Sequence, residues 1–428
     1  MYLNTFLYNY GLDPENFINE IVNPIKTDDG KTLINIRQKT DKRVCPYCGC
    51  LNVYINNYYW SETNSTINEG LPTVIRIKKV RFMCTACNKT FTPKITGIER
   101  YSKISKLVEN LIIRDFYKQK SFSIIADSYN ISSHQCMDVF DKTFPYLRRG
   151  VLPSAMCIDE IGFKTDDGSY ASIIYDHDKK IITDVIRNRN LAYLRQYFSQ
   201  CSFRERTEVK YFISDLYEGY ATIKQEYFRE AVHIADMYHV IRLLQFEISK
   251  LRVDTYKNYT DEHDPRRNFM KNNWDVFEKY LTCKLARAPY YSKAEKMQYT
   301  FWDMMHRCLS LNPVFWDAYT CLQDFYEYWR CKTFNQAILH IEKIVKQLKN
   351  TGKDELIKVA NTYWKWRTEI ANAITTRNIE GKRYSNGPAE GLNNAIKTLI
   401  KDANGYRNFD RLRKRILLVL NYGKDPSF

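Results

Sequence analysis

Hydrophobic and polar positions change rhythm several times along the chain. Val74-Ile-Arg-Ile-Lys-Lys-Val-Arg-Phe-Met83 alternates in part, as a strand does when one face is buried. Between 101 and 144 the period lengthens to that of a helix, and Lys106-Leu-Val-Glu-Asn-Leu-Ile-Ile-Arg-Asp-Phe-Tyr117 spaces its apolar residues accordingly. Ser121 can cap a helix over Phe122–Tyr129, Asn130-Ile-Ser132 makes a short turn, and Ser133 can open a second helix through Phe140. From Val151 short strands take over. Met156–Lys164, Tyr170–Tyr175 and Ile181–Arg187 are divided by the turns Thr165-Asp-Asp-Gly168 and Asp176-His-Asp-Lys179, which predicts a three-strand meander. A helix over Leu191–Ser199 then leads to the strand Val209–Ser214, and a helix around Tyr220–Phe228 to the strand Ala231–Ala235. Residues 241–380 carry helical periodicities, Phe334–Leu348 among them, and predict an all-α block. Two more helices are expected, one after Gly387-Pro388, where proline suits the first turn, and one over Tyr406–Leu420.

Charge changes this picture. Lys and Arg total 65 against 49 acids, a net +16 that suits a polyanionic partner. The excess is uneven, since residues 381–428 hold ten basic residues against four acids. No apolar run approaches the ~18–20 residues of a membrane span. The start, Met1-Tyr-Leu-Asn-Thr-Phe, lacks a basic n-region and a small-residue cleavage site, so a cytoplasmic protein with no membrane partner is expected.

The twelve cysteines are uneven too. Eight are scattered and read as small buried apolar residues, whereas Cys45-Pro-Tyr-Cys48 and Cys84-Thr-Ala-Cys87 are two C-x2-C knuckles 35 residues apart. Gly49 and Asn88 can take the positive φ that such turns need. Four thiolates make a closed, structural zinc site, here at the base of a ribbon of extended strands. Arg76, Lys78, Lys79 and Arg81 would give that ribbon a basic edge for phosphates. The two short helices that follow have the proportions of a helix-turn-helix, which would present Ser133 and His134 at the start of its recognition helix.

Carboxylates carry the chemistry of the remainder. Three antiparallel strands followed by alternating helix and strand match an RNase H-like α/β sheet. In that topology Asp159 on the first strand and Asp215 at the end of the fourth are neighbours, and two such carboxylates invite divalent cations, Mg²⁺ or Mn²⁺, between them. Glu160 is the rival to Asp159, because adjacent strand residues face opposite sides. A third acid, Glu390, falls in the first turn of the helix after Pro388, and Asn393, Asn394, Lys397 and Lys401 follow at one-turn spacings, offering polar and cationic groups to a nucleic-acid backbone. Asp236 and His239 lie one turn apart at a strand-to-helix junction, where they suit either a scissile strand or a buried capping pair.

Ile158-Asp159-Glu160, Ser214-Asp215-Leu-Tyr-Glu-Gly-Tyr220, Ala235-Asp236-Met-Tyr-His239 and Ser385-Asn-Gly-Pro-Ala-Glu390-Gly-Leu-Asn-Asn394 together resemble the insertion-sequence transposases of the DDE superfamily, and among them the ISL-three family. The resemblance covers essentially the full length. It implies an N-terminal segment (1–36), a zinc ribbon (37–95), a helix-turn-helix region (96–150), the first part of an RNase H-like core (151–240), an all-α insertion (241–380) and the final part of the core (381–428). It makes Asp159, Asp215 and Glu390 a triad for two Mg²⁺ or Mn²⁺ ions, and it associates Asp236 and His239 with the transposon end. The implied partner is double-stranded DNA, as transposon ends and as target, bound by a homodimer or higher oligomer. Two other readings compete: a zinc-ribbon and helix-turn-helix DNA-binding regulator without catalysis, and an RNase H-type nuclease.

Overall fold

In the computed structural model the N-terminal strands form one sheet. It comprises β1 (Ile25–Lys26), β2 (Thr32–Arg37), β3 (Val53–Asn68), β4 (Leu71–Cys84) and β5 (Thr90–Phe91), in the order β1-β2-β4-β3 with β5 also on β4. The structure describes all residues except 1–6, 21–22, 42–43, 69–70, 101, 166–167, 259–260, 262, 386, 404–405, 407 and 423–428, together with the side chains of 66–68, 71, 164–165 and 388–390. Strand β4 serves two cores. Ile75 and Ile77 pack with Ile34 and Ile36, whereas Val80, Phe82 and Cys84 pack with Cys45 and Phe91. Odd and even positions of a strand face opposite sides, so the buried face of β4 changes at Lys78-Lys79. β2 pairs with β4 only as far as Arg37 opposite Lys78. Beyond that point the buried Gln38 accepts the Val80 N–H on its side-chain oxygen at 3.2 Å and donates to Pro93 O at 3.1 Å.

Three helices follow: α1 (Lys106–Asp115), α2 (Phe122–Ser128) and α3 (Ser133–Thr143). Ser105, Ser121 and Ser132 cap them by accepting the N–H of Val108, Ile124 and Gln135. α3 opens at Ser133 as the sequence leads us to expect, and Ser132 before it is the cap, because Gln135 stands three residues on and closes a capping box with it. Phe116, Phe122 and Phe140 fill the space between the helices with edge-to-face contacts of 5.0–5.9 Å.

A second sheet comprises β6 (Ala155–Thr165), β7 (Gly168–Asp176), β8 (Ile181–Ile186), β9 (Tyr211–Ser214) and β10 (Val232–Ala235). Between its strands run α4 (Leu191–Ser199), α5 (Phe203–Thr207) and α6 (Glu218–Tyr227). The order is β10-β9-β6-β7-β8, with β6, β9 and β10 parallel and the β6-β7-β8 meander antiparallel. One face, with Met156, Ile158, Ile174 and Phe212, is covered by Leu194 and Phe198 of α4 and Tyr220 and Ile223 of α6. The other face, with Cys157, Ile213 and Ile234, joins the core of a helical block.

That block runs through α7 (Met237–Lys257), α8 (Pro265–Asn272), α9 (Cys283–Ala286), α10 (Phe301–Leu309), α11 (Pro313–Tyr326), α12 (Phe334–Asn350), α13 (Asp354–Lys365) and α14 (Arg367–Thr375). It is not purely helical, as the sequence led us to expect. A hairpin of β11 (Pro289–Ser292) and β12 (Met297–Thr300) interrupts it, with Tyr290 opposite Tyr299 and Lys296 at φ +54° in the turn. Aromatic residues paired across strands stabilise such a hairpin better than a helix, and stretches of four residues escape a search for helical period.

The last elements are α15 (Gly387–Asp402) and α16 (Phe409–Tyr422). The chain divides into two compact units, one of residues 1–148 with 394–428 and one of residues 149–393. Within the first, α16 lodges Leu418 among the apolar residues of α1–α3. The basic run Arg411-Leu-Arg-Lys-Arg415 is largely consumed there. Arg415 is fully buried and donates to the carbonyls of Phe116, Lys118 and Lys120, Arg411 pairs with Asp141 at 2.6 Å, and Arg413 donates to Leu147 O at 2.9 Å.

Candidate metal centre and carboxylate site

The two knuckles converge. Cys45 Sγ lies 3.7 Å from Cys87 Sγ and Cys48 Sγ 3.6 Å from Cys84 Sγ, and all four sulfurs lie within 4.8 Å of one another. A zinc tetrahedron with ~2.3 Å bonds has edges of about 3.8 Å, so the spacing fits that ion. The turns repeat each other: Gly49 N–H donates to Cys45 O and Asn88 N–H to Cys84 O, both at 3.0 Å, with Gly49 at φ +72° and Asn88 at +53°. Backbone N–H groups of Cys87 and Ala86 aim at Cys84 and draw its thiol down to about 6, whereas desolvation and the neighbouring sulfurs push the Cys48 and Cys87 thiols up. This cluster could hold zinc.

The basic residues of β4 do not form an edge, since β4 is an inner strand of its sheet. Alternation divides them. Arg76 and Lys78 share one face, over Trp60 at 5.4 Å and Tyr58 at 5.2 Å, while Arg81 lies on the other over Tyr59 at 5.1 Å. Lys79 shares the Arg81 face and is half-buried, and burial holds its ammonium below the usual range. Ser133 begins α3, and the exposed His134 sits 3.0 Å from Asp138 one turn on.

In the second unit the strand register aligns three acids. Cys157 pairs with Ile213 and Ile213 with Ile234, and two residues further along come Asp159 on β6 and Asp215 and Asp236, each just past the end of its strand, β9 and β10. The Asp236 N–H still donates to Ser214 O at 2.7 Å, which extends the ladder to that point. Asp159 is buried, accepting the Glu160 N–H on Oδ1 at 2.8 Å and the Asn393 side-chain amide on Oδ2 at 2.8 Å. Asp215 accepts the Tyr217 N–H at 3.0 Å. Burial pushes both carboxyls up, Asp215 to about 6, with the charge of Glu160 adding to the effect and His239 opposing it. Two desolvated carboxylates held side by side present a hard, oxygen-only donor set of the kind that divalent cations satisfy.

Asp236 caps α7, accepting the Tyr238 N–H at 3.3 Å, and His239 Nε2 lies 3.6 Å from its Oδ2. The capping role thus occurs, with the half-exposed His239 imidazole beside the buried cap. Glu160 is ion-paired with Arg189, whose guanidinium stacks over Tyr170 and Tyr217. Sequence reasoning missed Arg189, for which the only signal was an arginine between two asparagines after a strand. Glu390 lies on α15 three positions before Asn393, and its side chain is outside the described residues. Asn394, Lys397 and Lys401 of α15 are exposed, while Ile396 and Leu399 are buried.

Residues 156–416, more than half of the chain, match the family model of the ISL-three DDE transposases, described as transposase. The chain belongs to that family. An ATP-dependent protease of Lactococcus lactis subsp. lactis is 25% identical over 183 residues, 42% of this chain and 50% of that protein. The chain spans half the length of that curated relative. Among the described residues no helix is long and apolar enough to cross a membrane.

Proposed function

We propose that this protein is an insertion-sequence transposase that binds terminal inverted repeats, cuts at the transposon end and transfers the freed 3′ end to target DNA. The observation that carries the reading is Asp159 on β6 with Asp215 and Asp236 at the ends of the neighbouring parallel strands β9 and β10, Asp159 being reached by Asn393 from the helix that bears Glu390. Asp159, Asp215 and Glu390 would hold two Mg²⁺ or Mn²⁺ ions. When bound, such ions stabilise both the attacking and the leaving oxygen of a phosphodiester displacement. The chain's own part is to hold the carboxylates in place, through the amides of Glu160, Tyr217 and Asn393, and to align the scissile strand beside His239. The sheet order β10-β9-β6-β7-β8, with β6 parallel to β9, supports an RNase H-like core in two parts, 151–240 and 381–428, around the insertion 241–380.

In this reading residues 37–95 form a zinc ribbon and 96–150 a helix-turn-helix that together recognise the inverted repeats. Arg76, Lys78 and Arg81, Ser133 and His134, and Asn394, Lys397 and Lys401 would meet DNA, and the synaptic complex would be a dimer or larger. The nucleoid in the cytoplasm is the matching location. The test is cleavage and joining of a transposon-end duplex with Mg²⁺ by wild type and Asp215→Asn. Cleavage with 3′-end transfer that Asp215→Asn abolishes supports the proposal. Cutting without transfer points to a nuclease, and binding without either to a regulator.

The nucleotide chemistry in the name of the protease relative finds little here. Gly30-Lys31-Thr32 has Ile25 where a phosphate loop needs its first glycine, and it sits in the β1–β2 hairpin and not between a strand and a helix.

A further inference from the structure

Two backbone amides fix the sheet aspartates, and the side chains of the same two residues meet at one cation. Glu160 N–H donates to Asp159 and Tyr217 N–H to Asp215, at 2.8 and 3.0 Å. Arg189 is ion-paired with Glu160, and its guanidinium carbon lies 5.0 Å from the Tyr217 ring centre and 4.6 Å from that of Tyr170. Tyr217 is wedged in turn. A Cβ on Gly219 would come within 2.3 Å of its ring, Tyr220 meets it edge-on at 5.2 Å, and the Tyr220 hydroxyl is 3.0 Å from Ser172 Oγ.

We propose that Arg189 is a positioning residue for the divalent-cation site, clamping Glu160 and Tyr217 so that their amides hold Asp159 and Asp215 in register. This rests on the carboxylate-site reading above. Arg189 also neutralises the Glu160 carboxylate, which adds to the upward push on Asp159 and Asp215. Lysine would keep the charge but lose the flat face that meets two rings. The glycine at 219 has the same origin, since any larger residue there displaces the Tyr217 ring from the clamp.

The probe is Mn²⁺ alone, titrated into the full-length, zinc-loaded protein and followed by electron paramagnetic resonance, with thermal melting in parallel. Arg189→Ala is expected to raise the half-saturating Mn²⁺ concentration by about 10-fold, the usual scale for a residue that supports a ligand. Arg189→Lys should recover part of the loss. A scaffold role alone would lower the melting temperature and leave Mn²⁺ affinity alone. Unchanged affinity in a folded Arg189→Ala protein, or in Arg189→Lys should the alanine variant not fold, overturns the assignment. Wild-type affinity in Asp215→Asn would overturn the carboxylate site itself, and the clamp with it.

Discussion

Asn393 donates its side-chain amide to Asp159 across 234 positions of sequence, at 2.8 Å. That bond ties the helix carrying Glu390 to the central strand of the second sheet. An amide suits the task, because it satisfies a carboxylate oxygen without adding charge. Asn393→Ala is expected to slow transposon-end cleavage by about 10-fold or more and to raise the Mg²⁺ concentration needed, with little change in melting temperature. Asn393→Asp should be worse, since it sets a further negative charge against Asp159. Cleavage rates over a Mg²⁺ series decide it, and equal rates for all three proteins would remove the link.

His233 predicts an acid-sensitive stability. It is buried beneath Phe212 and Trp366 and shares a 3.0 Å hydrogen bond with Ser214, and burial, helped by Lys224, lowers it to about 3. Glu369, 3.9 Å away, is itself pushed toward its neutral form by burial and offers little compensation. The unfolded chain takes up a proton near pH 6.5 and the folded chain does not, so stability is full above 6.5 and falls between there and about 3. The slope from this residue approaches ~1.4 kcal/mol per pH unit. Urea midpoints between pH 7 and 4 should fall less steeply in His233→Gln.

Zinc removal should act locally. The small core of Val80, Phe82 and Phe91 lies beside the four cysteines, and metal binding at such a site is also folding energy. We expect about one zinc per chain, lost in Cys84→Ser, with new protease cleavage within 44–92. Mn²⁺ binding at the carboxylates should persist. Metal analysis together with limited proteolysis checks both halves.

The face of Arg76 and Lys78, with the exposed Trp60 and Tyr58, should contribute to affinity for DNA through counterion release. Replacing either cation by alanine is expected to reduce the slope of log affinity against log salt by about 0.9. Lys79→Ala, at a half-buried position, should change the slope less. Binding titrations from low to moderate salt supply the numbers.

Much of this was legible before any coordinates. The meander 156–187 announces itself because its apolar runs lie between clear turns, and Gly49 and Asn88 take the conformations their places in the knuckles demand. Strand β3 escaped because Val53–Asn68 is largely polar and gains its order from pairing with β4. Arg189 and Arg415 escaped for a related reason. Each looks like an ordinary surface cation until residues far away in sequence close round it, the rings of Tyr170 and Tyr217 in one case and three backbone carbonyls in the other.

The change of buried face along β4 makes the interval between Ile77 and Val80 unforgiving in length. Lengthening or shortening it by a single position would turn either Ile75 and Ile77 or Val80, Phe82 and Cys84 outward to water, and no substitution elsewhere restores a parity. Evolution can vary the side chains at 78 and 79 while the count stays frozen, so the two miniature interiors on either side must be inherited as one piece.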